Sequence, residues 1–146
     1  MKQRLNMPTA NPTAYKAMIA LDATMGSSFL NNTQKELIKI RASQINGCAF
    51  CIDMHTKDAL KYGETPQRIF LLNAWWETEL YTDEERVLLK MTEEITKISE
   101  KGLTEETYES AKRFFDEKQI AEIIMAIVII NAWNRIGIST HLQLPK

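Results

Sequence analysis

The chain has 146 residues, of which 45% are hydrophobic and 25% charged. It is long enough for one domain with a core, and its composition is that of an ordinary globular protein. Its 18 basic and 19 acidic residues give a net charge of -1, which supplies no general attraction to nucleic acid or anionic lipid. We therefore expect a single domain over residues 1–146 that binds neither nucleic acid nor a membrane.

Two segments of the sequence indicate the cellular location of the protein: the amino terminus and the longest apolar segment. The amino-terminal residues include Lys2 and Arg4 but no apolar run behind them, so they lack the pattern of a signal peptide. The longest apolar segment, residues 120–138, contains Glu122 and Arg135, which are costly to place inside a bilayer. This segment is predicted to be a helix of the core or of a subunit interface, and we expect a cytoplasmic protein.

Capping residues, prolines and glycines mark helix boundaries along the whole chain. The seven helices that they predict cover residues 11–26, 33–46, 48–62, 65–75, 82–101, 104–115 and 116–137. Capping boxes of the form Thr-x-x-Glu mark two of the starts, at residues 33–36 and 82–85. No segment alternates apolar and polar residues between turn signals, so strands are not expected. The sequence predicts an all-α fold.

The only two cysteines form a CxxC motif, Cys48 and Cys51, and His55 follows one helical turn later. On a helix these three side chains lie on nearly one face. The break at Asn46-Gly47 places the cysteines in the first turn, where free N–H groups and the helix dipole stabilise a thiolate. In such surroundings a cysteine pKa falls from about 8.5 to about 3.5–7.5. The motif predicts a reactive thiol pair that can close into a disulfide.

The spacing of Glu36, Cys48, Cys51 and His55 resembles the signature of the AhpD-like alkylhydroperoxidases of the carboxymuconolactone decarboxylase superfamily. Residues 37–47, 62–65 and 130–135 also resemble the helix before the cysteines, the turn after them and the last core helix of single-domain members. The resemblance implies a single-domain AhpD-like bundle, here of about seven helices, that assembles as a homo-oligomer, a trimer or a hexamer.

The resemblance also implies a role for each residue of the signature. Cys51 would be the peroxidatic nucleophile that attacks a small organic hydroperoxide or hydrogen peroxide, and Cys48 would resolve the resulting sulfenic acid to a disulfide. His55 would relay the proton, with Glu36 as the ultimate base. No cofactor is expected to be bound; an external dithiol, lipoamide or a thioredoxin-like protein, would reduce the disulfide. The family's peroxidase type has a histidine where this chain has Phe50, which removes one relay member.

Other interpretations of the same residues remain open. The only role of Glu36 could be to form a capping box with Thr33 at the start of its helix. The signature set could hold zinc, or act as a redox sensor, in a non-enzymatic helical module; the cysteines could also be ordinary buried thiols. Lactone decarboxylation is disfavoured because family members with that activity lack the CxxC motif.

Several large side chains are predicted to serve in packing and not in ligand binding. They are Met54, Met91, Trp75, Trp76 and Trp133. His141 has no partner at a recognisable spacing and is expected at the surface or at an interface.

Overall fold

The computed structural model describes residues 2–145, and within them every regular element is helical. The α-helices of this part of the chain are α1 (Met7–Ala10), α2 (Pro12–Ala23), α3 (Asn32–Asn46), α4 (Ala49–Lys61), α5 (Pro66–Leu71), α6 (Asp83–Thr96), α7 (Glu105–Ala111) and α8 (Glu117–Thr140). Short 3-10 helices follow α2 and α5, at Thr24–Ser27 and Leu72–Glu77. The all-α prediction is confirmed, and the described residues contain one helix more than expected, the four-residue α1.

Local capping signals place most helices where the sequence predicts them. The Thr82 hydroxyl accepts a hydrogen bond from Glu85 N at 3.2 Å, and Glu85 Oε2 accepts one from Thr82 N at 2.9 Å. This capping box begins α6. Thr65 caps α5, which has Pro66 as its first residue. Such signals are reliable because the groups that satisfy the free N–H donors lie within three residues of each other.

The start of α3 corrects one prediction. Its capping box consists of Asn31 and Gln34: Gln34 N donates to Asn31 Oδ1 at 2.8 Å, and Asn31 N donates to Gln34 Oε1 at 3.1 Å. The interpretation of Glu36 as the capping partner of Thr33 is therefore wrong. Because the helix begins at Asn32, Glu36 lies in its second turn, where its side chain is buried.

Two further boundaries differ from the prediction for reasons of tertiary structure. Helix α6 ends at Thr96 and not near residue 101, because the chain reverses there to bring α7 against it. The Glu94 carboxylate accepts hydrogen bonds from Thr104 N and Thr107 Oγ1, both at 2.8 Å, and so fixes the start of α7 beside α6. Helix α8 continues past Gly137 to Thr140, since that glycine keeps a helical backbone.

The core lies between α3, α6 and α8, and α3 contacts both of these helices as well as α4. Its largest fully buried side chains include Ile38, Leu88, Met91, Ile123, Ile127 and Ile130. Trp75 is buried in a second cluster beneath α5, as expected, whereas Trp76 is half exposed. Helix α3 is thus surrounded by the other long helices, and the residues at its end have fixed positions.

A buried polar network fastens the end of α3 to α8. Asn46 Nδ2 donates to Asn131 Oδ1 and to Asn134 Oδ1, both at 2.9 Å, and Asn134 Nδ2 donates to Ser43 Oγ at 2.9 Å. Buried amides are stable only when they are hydrogen-bonded, so the network permits one register between the two helices. It therefore fixes the position of Cys48, two residues beyond Asn46, relative to α8.

Helix α8 is the one helix of residues 2–145 whose length and composition would allow it to cross a membrane, yet half of its most apolar window is buried in the protein. Ile127 and Ile130 face the core. Val128 and Ile138 of the same helix remain 42% and 41% exposed. The helix is a core helix, as predicted, and it also has apolar side chains exposed at the surface.

Candidate active site

The cysteine pair occupies the first turn of α4. Cys48 is the N-cap residue and Cys51 is the third residue of the helix, and the two are joined by a disulfide with a Cα–Cα distance of 5.3 Å. Both are buried, with 1% of Cys48 and 4% of Cys51 exposed. The predicted ability of the pair to form a disulfide is thus realised, in a site shielded from bulk water.

The backbone around the disulfide leaves donors unpaired at the helix start. Gly47 adopts a left-handed conformation with φ of 72°, which ends α3 and turns the chain so that Cys48 N donates to Ser43 O at 3.0 Å. The Cys48 side chain makes no capping hydrogen bond, unlike the N-cap residues of the other described α-helices. The first N–H groups of α4 are therefore free to stabilise a negative charge on sulfur.

An imidazole–carboxylate pair lies next to the cysteines. His55 Nδ1 is 2.7 Å from Glu36 Oε2, and the other oxygen of Glu36 is 2.9 Å from Lys39 Nζ. His55 and Glu36 are buried, with exposures of 7% and 4%, and Lys39 is partly buried. The contact joins α4 to α3 and leaves Nε2 as the ring nitrogen of His55 that can exchange a proton with a ligand.

The environment of Glu36 keeps this carboxylate ionised. Burial by itself raises its pKa, but the hydrogen bond and charge of His55 and the ammonium of Lys39 together outweigh burial, and the net effect is a lowered pKa. A carboxylate held in this way is a poor proton acceptor. It fixes the orientation of the His55 ring through Nδ1.

A cavity of about 440 Å³ adjoins the disulfide. Cys51, His55 and Lys39 line it, whereas Cys48 is not part of its wall. The remaining wall is mostly apolar and includes Met7, Pro8, Tyr15, Phe50, Met54, Ile129, Trp133, Ile136 and Leu142. Of the two sulfurs, the one of Cys51 is therefore accessible to a molecule in the cavity.

Three of the wall residues come from parts of the chain that sequence analysis assigned to packing or left without a role. Trp133 of α8 and Tyr15 of α2 form an edge-to-face pair with ring centroids 5.6 Å apart. Met54 is 39% exposed, so it lies at the cavity and not in the core. The spacing of Met54 three residues after Cys51 was the available signal, since it places both on one helix face.

The amino-terminal segment closes one side of the cavity. Gln3, Asn6, Met7 and Pro8 belong to the wall, and the segment is held to the end of α8 by Arg4 N, which donates to Thr140 O at 2.9 Å. No sequence pattern indicated this contact, because it depends on where α8 ends in space.

Among residues 2–145, one group of side chains approaches the geometry of a metal site: Glu36, His55 and Asp58, whose ligand atoms lie within 4.8 Å of one another. Neither cysteine belongs to it. Both sulfurs of the predicted zinc set are bonded to each other in this structure and offer no thiolate to an ion. Glu36 and Asp58 are already paired with lysines, at 2.9 Å and 2.7 Å.

Comparison with known proteins agrees with this geometry. A sequence model of the carboxymuconolactone decarboxylase family matches residues 12–94, a region that includes Glu36, Cys48, Cys51 and His55 and ends before α8. Because the match covers more than half of the 146 residues, the chain belongs to the carboxymuconolactone decarboxylase family. The resemblance noted in the sequence is confirmed.

Individual relatives extend the likeness over the whole chain. The uncharacterised protein YdfG of Bacillus subtilis strain 168 is 45% identical over 139 residues, which are 95% of each chain. The crystal structure of an Agrobacterium tumefaciens protein of unknown function, proposed as an antioxidant defence protein AhpD, is 42% identical over 99% of both chains, with a TM-score of 0.95. A debrominase, 19% identical over 94% of this chain and 74% of its own, has a TM-score of 0.82 and shares the fold.

The lowered pKa of Glu36 predicts a pH-dependent stability. The folded state binds this proton less tightly than the unfolded state does, so the ionised carboxylate stabilises the fold above its ordinary pKa of 4.5, and this contribution disappears as the pH falls through the lowered value. Glu36→Gln in the oxidised protein should reduce the free energy of unfolding by about 1.5–3 kcal/mol at neutral pH. Urea unfolding should show that difference shrinking as the pH falls below 4.5.

Glu109→Gln is the matched control, since Glu109 pairs only with Lys112 and both are about half exposed. Its removal should change stability by less than about 0.5 kcal/mol at any pH. An equal, pH-independent loss in both variants would contradict the electrostatic role of Glu36.

Proposed function

We propose that this protein is a thiol-dependent peroxidase that reduces hydroperoxides through a dithiol/disulfide cycle of Cys48 and Cys51. The observation that carries the proposal is the Cys48–Cys51 disulfide at the start of α4, with Cys51 at the wall of a cavity that His55 also lines. The AhpD description of the Agrobacterium relative is in keeping with it.

In the first step the thiolate of Cys51 attacks the terminal oxygen of the hydroperoxide. The O–O bond breaks, Cys51 becomes a sulfenic acid, and the leaving alkoxide takes up a proton and departs as an alcohol. His55 Nε2 takes that proton from the Cys51 thiol as the thiolate forms and passes it to the alkoxide, because Nδ1 is engaged with Glu36. The unpaired N–H groups of the first turn of α4 stabilise the attacking thiolate.

In the second step Cys48 resolves the intermediate. Its sulfur attacks the sulfenic sulfur of Cys51, the hydroxyl leaves with a proton as water, and the disulfide forms. A Cα–Cα distance of 5.3 Å lies within the range of ordinary disulfides, so the step needs no large backbone movement.

Glu36 acts in this scheme as a positioning residue. Its lowered pKa makes it a poor ultimate base, the role that the resemblance implies, and its contact with Nδ1 orients the His55 ring. Lys39 holds the second oxygen of Glu36 and so prevents that carboxylate from turning away from the imidazole. His55 is the single imidazole of the relay, since Phe50 stands between the cysteines.

The cavity favours organic hydroperoxides as substrates. Phe50, Met54 and Trp133 present apolar surface next to Cys51, and a volume of about 440 Å³ admits a substituent of several carbon atoms. Hydrogen peroxide has no apolar part and gains nothing from this wall.

Replacement of each cysteine tests the assigned roles. With cumene hydroperoxide and a dithiol donor, Cys51→Ser should lower turnover at least about 100-fold, because the attacking thiolate is lost. Cys48→Ser should still react once, and dimedone should then label Cys51 as a sulfenic acid. Peroxide loss measured over time, with mass spectrometry of the labelled protein, checks both outcomes.

Cys48→Ser is the matched control, because it removes the same disulfide and the same number of thiols. Turnover by Cys51→Ser equal to that of the unaltered protein would contradict the proposal. A disulfide that cycles without any catalytic peroxide loss would instead support the non-enzymatic redox sensor.

We propose that a small dithiol group, such as that of a lipoamide arm, reduces the Cys48–Cys51 disulfide. Because the disulfide is almost fully buried and Cys51 is reached through the cavity, a lipoamide arm can approach its sulfur, whereas the broad face of a thioredoxin-like protein meets the surrounding wall. At equal dithiol concentration, dihydrolipoamide should reduce the disulfide at least about tenfold faster than reduced thioredoxin. Stopped-flow tryptophan fluorescence can follow the reaction, and a faster thioredoxin reaction would overturn this donor assignment.

We also propose that the protein is cytoplasmic and that it forms a homo-oligomer. The partly exposed Val128 and Ile138 of α8, and the 76% exposed Phe70 of α5, supply apolar surface of the kind that subunit interfaces bury. Sedimentation velocity at micromolar concentration should give the mass of a trimer or hexamer. A monomer would contradict the assembly.

A further inference from the structure

Gly137 occupies a position where its own backbone does not require glycine. Gly47, Gly63 and Gly102 have φ angles of 72°, 93° and 65°, which other residues rarely adopt, but Gly137 lies within α8 and has no positive φ. Glycine inside a helix is less favourable than alanine by about 1 kcal/mol. A reason for its presence must therefore lie in its surroundings.

The missing side chain leaves space beside both sulfurs of the disulfide. A Cβ at this position would lie 3.3 Å from Cys48 Sγ and 3.8 Å from Cys51 Sγ. The first distance is shorter than an ordinary contact, so a methyl group would press on the Cys48 sulfur. Gly137 itself is buried and lines the cavity.

The dithiol form needs more room at this point than the disulfide. On reduction, a donor dithiol supplies two electrons and two protons, the S–S bond breaks, two thiols form, and the donor leaves as its own disulfide. Bonded sulfurs are about 2.05 Å apart, whereas unbonded heavy atoms pack at about 3.5–4 Å. Since Cys48 and Cys51 are buried, the extra space must be found inside the protein.

We propose that Gly137 is a positioning residue for the redox pair: the space left by its missing side chain allows the two sulfurs to separate and so sets the dithiol/disulfide equilibrium. A methyl group there opposes the larger dithiol form more than the compact disulfide. Gly137 lies outside residues 12–94, the region matched by the family model, so the family signature does not include it.

The inference concerns the same cysteine pair as the proposed peroxidase and rests on that pair's redox cycle. It does not require peroxide as the oxidant. A failed peroxide assay would remove the proposed function and leave this equilibrium to be measured, whereas a failed equilibrium test would leave the peroxidase intact.

The experiment compares Gly137→Ala with the unaltered protein in glutathione redox buffers, with the disulfide fraction read by thiol alkylation and mass spectrometry. We expect the equilibrium constant for disulfide formation to rise about tenfold, which corresponds to about 30 mV. Gly26→Ala is the control, because Gly26 lies in an exposed 3-10 turn and a Cβ there would meet nothing within 4 Å. An unchanged constant in Gly137→Ala, or a shift towards the dithiol, would overturn the proposal.

If Gly137→Ala folds in neither redox form, a second variant tests whether the new methyl group clashes with the Cys48 sulfur. Replacing Cys48 by alanine removes the sulfur that the new methyl group would press upon. Cys48→Ala/Gly137→Ala should then be at least as stable as Cys48→Ala alone, because alanine also favours the helix. If the double variant remained unfolded, the new methyl group would clash with something other than the Cys48 sulfur. That result would overturn the proposal.

Discussion

The packing of α4 against both α3 and α8 is the constraint on which the site depends. Cys48 and Cys51 come from the first turn of α4, Glu36 comes from α3, and Gly137 of α8 closes over the sulfurs. A shift of any one helix by about one ångström would separate these groups, which is enough to impair the proposed catalysis. The Asn46–Asn134 contact between α3 and α8 helps to hold this packing, so the site depends on it as well.

The site combines two contrasting environments, an apolar cavity wall and a buried pair of charged groups. The cavity wall next to Cys51 is largely apolar and includes Phe50 and Trp133. Behind it, the ion pair of Glu36 and Lys39 keeps a charged carboxylate buried next to His55. Because Lys39 and His55 occupy both oxygens of Glu36, the carboxylate is satisfied without water, and His55 is held in one orientation.

Sequence reasoning succeeded where the determining groups are neighbours along the chain. The left-handed Gly47 ends α3, and the cap at Thr82 begins α6, as predicted. Where distant segments decide, the sequence pattern was insufficient: it left a helix cap open for Glu36, and only the family resemblance linked Glu36 to His55, a contact that depends on how α4 packs against α3. The spacing within α8 gave no indication that Gly137 faces the disulfide, because that contact depends on how α8 crosses α4.

The proposed peroxidase requires the two sulfurs of Cys48 and Cys51 to act as one redox unit that consumes peroxide. Its most direct test is to add half an equivalent of cumene hydroperoxide to the fully reduced protein and to analyse the product by peptide mass spectrometry. Half of the molecules should lose two hydrogens, localised to Cys48 and Cys51, with one alcohol formed per disulfide. Unreacted peroxide beside free thiols, or oxidation at methionine with both cysteines intact, would contradict it.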